Sequence, residues 1–248
     1  MKKQKKERID RLLVELGFFE TRERAQRAIL AGEIRAGDHL FTKASELIAP
    51  DAPLAVAQRP QFASRGALKL EGALDFFAIE VRNKIALDIG ASTGGFTDCL
   101  LQRGAAKVYA VDVGRGQLAW KLRNDPRVVV MEKLNARFLS REDIPEPVDL
   151  SVIDVSFISL TLILPRVFEL ITQNGMILAL IKPQFELERQ DVGRGGIVRE
   201  PALHQKAQQK IVNFVGEANY RVVGVVPSTI TGTDGNQEFF ICIRKRLG

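Results

Sequence analysis

The sequence predicts an α/β protein: a mostly parallel seven-stranded sheet with an antiparallel edge hairpin, preceded by a small α+β module. Three observations predict it. From Ser64 to Gly248, near-continuous apolar strands alternate with amphipathic helical segments, the pattern of a parallel sheet covered on both faces. The last two strand segments are joined without room for a crossover helix, so they should pair antiparallel at the sheet edge. Ahead of them, residues 6–58 carry two short helical periodicities, each followed by a glycine, which marks a compact unit near the lower size limit for folding alone.

In that front unit Ile9, Leu12, Leu13 and Leu16 recur at helical spacing, and Gly17 is placed to end the helix as a left-handed cap. Thr21 is the expected N-cap of a second helix that turns Ala25, Ala28 and Ile29 inward and stops at Gly32. A short extended stretch, Glu33-Ile34-Arg35, meets a turn at Ala36-Gly37-Asp38 and continues through Leu40 and Phe41. Pro50, Pro53 and Pro60 punctuate residues 49–62, and 59–63 read as a linker. In the second unit, residues 64–248, the strand candidates are Ile85–Ile89, Val108–Val113, Val128–Met131, Leu150–Val155, Met176–Ile181, Arg221–Pro227 and Glu238–Arg244. Helices are expected at Gly66–Phe77, Gly95–Arg103, Leu160–Leu170 and Pro201–Val215.

Composition excludes several classes. With 46% apolar residues in 248, wholesale disorder is ruled out, and no run approaches the roughly 18 apolar residues of a membrane helix. The basic start lacks the apolar stretch of a secretory signal. Cys99 and Cys242 are too few for a disulfide framework, which points to a reducing cytoplasm, and they suit core volume. His39 and His204 stand alone and no Cys/His cluster has zinc spacing, so no metal is expected. The net charge of +6 hints at a polyanionic partner, and from Lys2 to Arg27 nine Lys/Arg face five acids. Arg22, Arg24, Arg27 and Arg35 lie around the second helix on positions the core does not demand; phosphate contact and a solvated face both account for them.

The most informative segment is Leu87-Asp88-Ile89-Gly90-Ala91-Ser92-Thr93-Gly94-Gly95-Phe96-Thr97-Asp98, a strand running through a glycine-rich turn into a helix. Such a turn places a ligand at the carboxyl edge of the first strand, and Gly90, Gly94 and Gly95 let the backbone approach it. Asp112 follows about 20 residues on, where an acid can accept hydrogen bonds from both ribose hydroxyls. A dinucleotide fingerprint needs a middle glycine, but Ser92 stands there; Asp88 would also repel a pyrophosphate while suiting an ammonium and a sulfonium. S-adenosylmethionine is such a ligand. Its candidate contacts are Asp88, Gly90, Ser92, Thr93, Gly94, Gly95, Phe96, Asp112, Asp154 and Asn135, the last as an acceptor for adenine.

Four further residues occupy strand ends or the helix before the first strand: Lys69, Asp154, Lys182 and Glu238. Taken singly, each is more often a strand-end charge facing solvent than a catalytic group. Together they can converge on the crevice, where mutual electrostatics is how a lysine becomes a usable base. Their order resembles the K-D-K-E tetrad of the FtsJ-like ribose 2′-O-methyltransferases. The front segment R-I-D-R-L-L-V-E-L-G-F-F-E-T-R-E-R-A-Q-R-A-I-L-A-G-E-I resembles the S4-type RNA-binding domain. With S-R-G-A-L-K-L, D-I-G-A-S-T-G-G-F-T-D, D-V-S-F-I-S-L and L-I-K-P-Q-F-E, nearly the whole chain is similar to the TlyA, or haemolysin A, family.

That resemblance implies a Rossmann-like S-adenosylmethionine-dependent methyltransferase fold behind an RNA-binding module. It implies methyl transfer to a ribose 2′-hydroxyl of ribosomal RNA, in its best-known members a cytidine, without a metal. The implied RNA contacts are Arg8, Arg22, Arg24, Arg27, Arg35 and Arg65. Lys182 is expected nearest the hydroxyl proton, oriented by Asp154 and Glu238, with Lys69 holding the ribose or a flanking phosphate. The segment Glu188–Arg199 reads as a mobile loop over the site, whose Arg189, Arg194 and Arg199 could contact RNA or simply face solvent. The implied partners are ribosomal RNA or ribosomal subunits, with no membrane and no obligate protein partner. Other classes compete. A ribosome-assembly protein with a vestigial pocket is opposed by intact Asp88, Gly90, Gly94 and Asp112. A membrane-active haemolysin is opposed by the lack of a signal or spanning stretch, and a dehydrogenase by the missing middle glycine.

Overall fold

The computed structural model describes residues 6–56, 62–232 and 234–246, and the chain divides into two compact units, Met1–Gln61 and Phe62–Gly248. Residues 57–61, which carry most of the expected linker and the end of the expected front unit, lie outside the described residues, as does Thr233. Phe62 and Ala63 are not linker. Phe62 is buried in the second unit's core, and the Ala63 N–H donates to Asp98 Oδ2 at 2.7 Å.

The front unit contains β1 (Glu7–Arg8), α1 (Ile9–Glu15), α2 (Arg22–Leu30), β2 (Ile34–Ala36), β3 (His39–Leu40), β4 (Leu47–Ile48) and β5 (Leu54–Val56). Gly17, at φ 78°, lets the Phe18 N–H reach back to the Leu13 carbonyl and its own N–H to Val14, which closes α1 with paired carbonyls. The same pairing recurs where α2 ends. Thr21 caps α2 as expected, accepting from the Arg24 N–H. Ile9, Leu13, Ile29, Ile34 and Phe41 form the core. Two pieces of sheet were not foreseen: β1 pairs with β4, and β5 joins β2 opposite β3. Pro53 did not forbid β5, because a proline just before an edge strand removes no ladder hydrogen bond.

In the second unit α3 (Gly66–Phe76) precedes β6 (Ile85–Ile89), α4 (Gly95–Gln102), β7 (Lys107–Asp112), α5 (Trp120–Arg123) and β8 (Val128–Glu132). Then come β9 (Val148–Ile153), α6 (Leu164–Leu170), β10 (Ile171–Ile181), α7 (Pro183–Glu186), α8 (Pro201–Glu217), β11 (Tyr220–Pro227) and β12 (Phe239–Lys245). The seven strands lie in the order β11-β12-β10-β9-β6-β7-β8, with β12 antiparallel to both neighbours and the others parallel where paired. Successive strand residues bury alternately on the two faces: Ala86, Val108, Val152 and Leu178 on one, Leu87, Tyr109, Ile153 and Ile177 on the other. Cys99 and Cys242 are free and buried, and burial pushes their thiols up to about 12 and about 11.

Most boundaries shift by one or two residues, and two differ further. The helix expected over 160–170 is a 3-10 turn, Leu160–Leu162, followed by α6, because Pro165 lacks the N–H that would continue a helix and instead sits in a first turn. β10 starts at Ile171, ahead of the expected Met176, with its pairing to β9 interrupted between those two residues. Among the described residues no helix is long and apolar enough to cross a membrane.

Candidate active site

The strand order reverses between β6 and β9: the chain runs outward through β8, then returns to the other side of β6. A crevice opens at such a switch point, beyond the carboxyl ends of the two strands. Gly90 and Asp154 follow those ends. The Asp154 N–H donates to the Ile89 carbonyl at 2.9 Å, and a Cβ on Gly90 would lie 2.2 Å from the Asp154 carbonyl oxygen. Only glycine allows that approach.

Two adjoining cavities, of about 300 and about 1010 Å³, share Gly90, Ser92 and Asp154. The smaller is lined by Lys69, Asp154, Lys182 and Glu238, gathered from α3, the end of β9, the end of β10 and the start of β12. They form two ion pairs. Lys69 Nζ donates to Glu238 Oε2 at 2.6 Å with side chains 11% and 3% exposed, and Lys182 Nζ lies 2.6 Å from Asp154 Oδ1. Lys182 also donates to Ser156 Oγ at 3.0 Å. The pairing corrects one expectation: Glu238 holds Lys69, and Lys182 is held by Asp154 and Ser156.

Thr93, Gly95, Phe96 and Arg65 line the smaller cavity as well. Gly94 does not line either; it caps α4 in the left-handed conformation. Asp112 and Asn135 line the larger cavity. Asp112 already accepts from the Ser92 and Gly114 N–H groups at 2.8 and 2.7 Å, which shapes the glycine-rich turn while leaving lone pairs for hydroxyl donors. Asn135 is not the open acceptor expected of it. Its Oδ1 takes the Arg137 N–H at 3.1 Å, capping a short 3-10 turn, so its amide N–H₂ is the polar group left for a base.

Asp88 departs furthest from expectation. It is fully buried, lines neither cavity, and accepts from Thr97 Oγ1 at 2.6 Å while its Oδ1 has no partner among the described residues. Burial pushes its carboxyl up to about 7, against the pull of the Thr97 hydrogen bond, and nearby Asp154 adds to the rise. It therefore braces the first turn of α4 from below and is not a direct wall of the crevice.

The expected RNA contacts divide. Arg8 and Arg22 both grip the buried Asp10, with Arg22 Nε 2.8 Å from Oδ2, so the core does demand them. Arg24 pairs with Glu20 at 2.6 Å. Arg27, Arg35 and Arg65 are exposed. The Glu188–Arg199 segment is tied down at its far end, since buried Asn236 accepts from the Val198 N–H and donates to the Gly196 carbonyl.

Sequence reading missed two residues here. Glu186, 5% exposed, accepts from Ser159 Oγ, the Leu160 N–H and Lys210 Nζ, and so ties the turn after Lys182 to the loop after Asp154. A carboxylate inside the apolar I-K-P-Q-F-E run was the available signal. Phe157, in D-V-S-F-I-S-L, is 90% exposed at φ 65°, with its ring 5.0 Å from Phe185 on the wall of the larger cavity. Nothing in its spacing announces that.

This architecture is the α/β methyltransferase fold, and residues 62–245 match the model of the FtsJ-like methyltransferase family. The 16S/23S rRNA (cytidine-2′-O)-methyltransferase TlyA of Mycobacterium tuberculosis is 45% identical over 239 residues, 96% of this chain and 89% of its own. Hemolysin A of Brachyspira hyodysenteriae is 42% identical over 233 residues, 94% of this chain and 97% of its own. A solved structure of a candidate hemolysin from Streptococcus thermophilus superposes with a TM-score of 0.74 at 44% identity, covering 97% of this chain and 88% of that one. The chain belongs to the FtsJ-like methyltransferase family, with TlyA and hemolysin A among its relatives.

Proposed function

We propose that the chain transfers a methyl group from S-adenosylmethionine to a cytidine ribose 2′-hydroxyl of ribosomal RNA. One observation carries this: two lysine–carboxylate pairs, drawn from four separate elements, line one small cavity that opens at the glycine-rich turn. The relative named above as a cytidine-2′-O-methyltransferase supports the substrate. The two buried free cysteines suit a reducing cytoplasm, and ribosomal RNA or a ribosomal subunit is the partner this reading requires.

The residues fit the cofactor. Asp112 offers a carboxylate to the ribose diol in a cavity of about 1010 Å³, roomy enough for a nucleoside, with Val113, Leu134 and Ile163 as apolar walls and the Asn135 amide as a polar group for the base. Gly90 and Ser92 border both cavities, which puts the turn where the amino-acid tail would pass. S-adenosylmethionine, when bound, supplies a methyl group on a sulfonium, a leaving group that needs no metal.

The ribose hydroxyl is a poor nucleophile while it keeps its proton. Lys182, once its amine is uncharged, is the group positioned to receive that proton, with Asp154 and Ser156 fixing the direction of its Nζ. Asp154 then stabilises the ammonium that results. Lys69, held by Glu238, offers a fixed positive charge to the attacking oxygen or a flanking phosphate. Phe157 presents an exposed ring beside the same cavities, a platform on which a target base can stack. The front unit is proposed as an S4-type RNA-docking module, with exposed Arg27 and Arg35 as phosphate contacts.

Lys182→Ala should lower methyl transfer to rRNA by at least about 10²-fold while S-adenosylmethionine still binds. Radiolabelled methyl incorporation and calorimetry read the two halves. Turnover unchanged in that variant would overturn the assignment of the proton acceptor.

A further inference from the structure

At the opposite end of the sheet lies a second cleft, of about 910 Å³, built where β10 and β11 begin and β12 ends. Its rim carries Lys84, Arg221, Arg244, Lys245 and Arg246 against one acid, Glu80. From Glu238 to Arg244 the chain runs six residues along β12, about 20 Å at the rise of a strand, so this cleft is separate from the tetrad.

Several cations elsewhere in the second unit are neutralised locally. Arg103, Lys107, Arg123, Arg127, Arg166 and Lys206 each meet a carboxylate within 3.5 Å. Among the described residues no ion pair is recorded for Lys84, Arg221, Arg244, Lys245 or Arg246; Arg244 instead lies against Met176 Sδ at 3.1 Å. Moreover, Arg221 and Arg244 are direct cross-strand partners in the β11–β12 ladder, so their side chains leave on the same face. Like charges directly opposite one another destabilise a sheet. A pair kept in that arrangement without an acid is a pair suited to a shared anion.

We propose that this cleft is a second contact for the phosphate backbone of the ribosomal RNA, on the far side of the domain from the methyl-transfer cavity. The proposal rests on the rRNA methyltransferase reading. The charges come from three chain segments around a cleft much larger than one phosphate, which fits a run of backbone phosphates better than a single ion. Contacts of this kind position a substrate and add affinity without reading sequence.

The test uses the full chain and the double variant Arg221→Gln/Arg244→Gln, with Arg221→Lys/Arg244→Lys as the control that keeps charge. Removing the like-charge opposition should leave the thermal midpoint of the Gln pair no lower than that of the parent. Binding to naked 16S and 23S rRNA is followed against salt concentration. The parent's log–log slope should fall in magnitude by about 2 in the Gln pair, one for each lost phosphate contact, and stay near the parent value in the Lys pair. An unchanged slope and affinity for naked rRNA would overturn the proposal. So would a loss confined to intact subunits, which would mean an acidic protein partner. Methyl incorporation by the parent chain is scored separately: its absence overturns the reaction assigned above, whereas the salt slope alone decides the cleft.

Discussion

Asp10 in the front unit and Asp88 in the second are both fully buried aspartates, yet their surroundings push them to opposite states. Arg8 holds the Asp10 carboxyl far below the usual carboxylate range, and hydrogen bonds from Gln26 and Arg22 add to the effect against the cost of burial. Asp88 is met by Thr97, through its hydroxyl and its backbone N–H, and by no cation, so burial dominates and its carboxyl rises to about 7. Two carboxylates closed off from water thus give an ionised clamp in one place and a group neutral through mild acid in the other. Both the number of donors within reach and the depth of burial set the outcome.

The comparison breaks most visibly at Asp10. Asp10→Ala removes the acceptor for three side chains at once and should destabilise the front unit by about 3 kcal/mol, read as an earlier unfolding step in calorimetry. Its pH signature follows from the depressed folded-state value. The stabilisation is complete above the ordinary carboxylate range, around pH 4, and is lost as pH falls below it. An unfolding step that stays put in the variant would show that the arginines find equivalent partners.

Glu186 tests whether a well-supplied buried carboxylate behaves like Asp10 when its partners belong to the reaction site. Glu186→Ala should cost about 2 kcal/mol, since the buried Leu160 N–H loses its acceptor. It should also lower kcat more than S-adenosylmethionine affinity, because the residue links the turn after Lys182 to the Asp154 loop. Equal loss of both would mean a purely structural role.

Asp88→Asn is the most conservative substitution of the three and has the opposite sign. An acid whose folded-state value is raised stays protonated when the unfolded chain has ionised, so the second unit loses stability as pH climbs from about 4 to about 7 and levels off above. The amide keeps the Thr97 hydrogen bond and cannot ionise. The difference in thermal midpoint between variant and parent should therefore grow in the variant's favour across that window. A constant difference from pH 4 to pH 8 would show that Asp88 titrates as it would in water.

The sequence by itself determined the class of fold, because hydrophobic period is a local property: Ile85–Ile89 was located to the residue, and the glycine stops at Gly17 and Gly32 needed no distant partner. It also marked the four tetrad positions, which sit at strand ends or on α3 where apolar runs are interrupted. Proline effects were legible only in part, since Pro165 splits a helix while Pro53 tolerates a strand, and the outcome depends on which ladder each adjoins. Tertiary structure alone decided who pairs with whom. Lys69 and Glu238 are 169 residues apart and meet only because β12 inserts between β10 and β11. The same closure hides Asp88 behind the turn it was expected to line and leaves Phe157 exposed on the cavity wall. Charge, exposure and proton affinity belong to neighbourhoods, and neighbourhoods form only when distant segments pack.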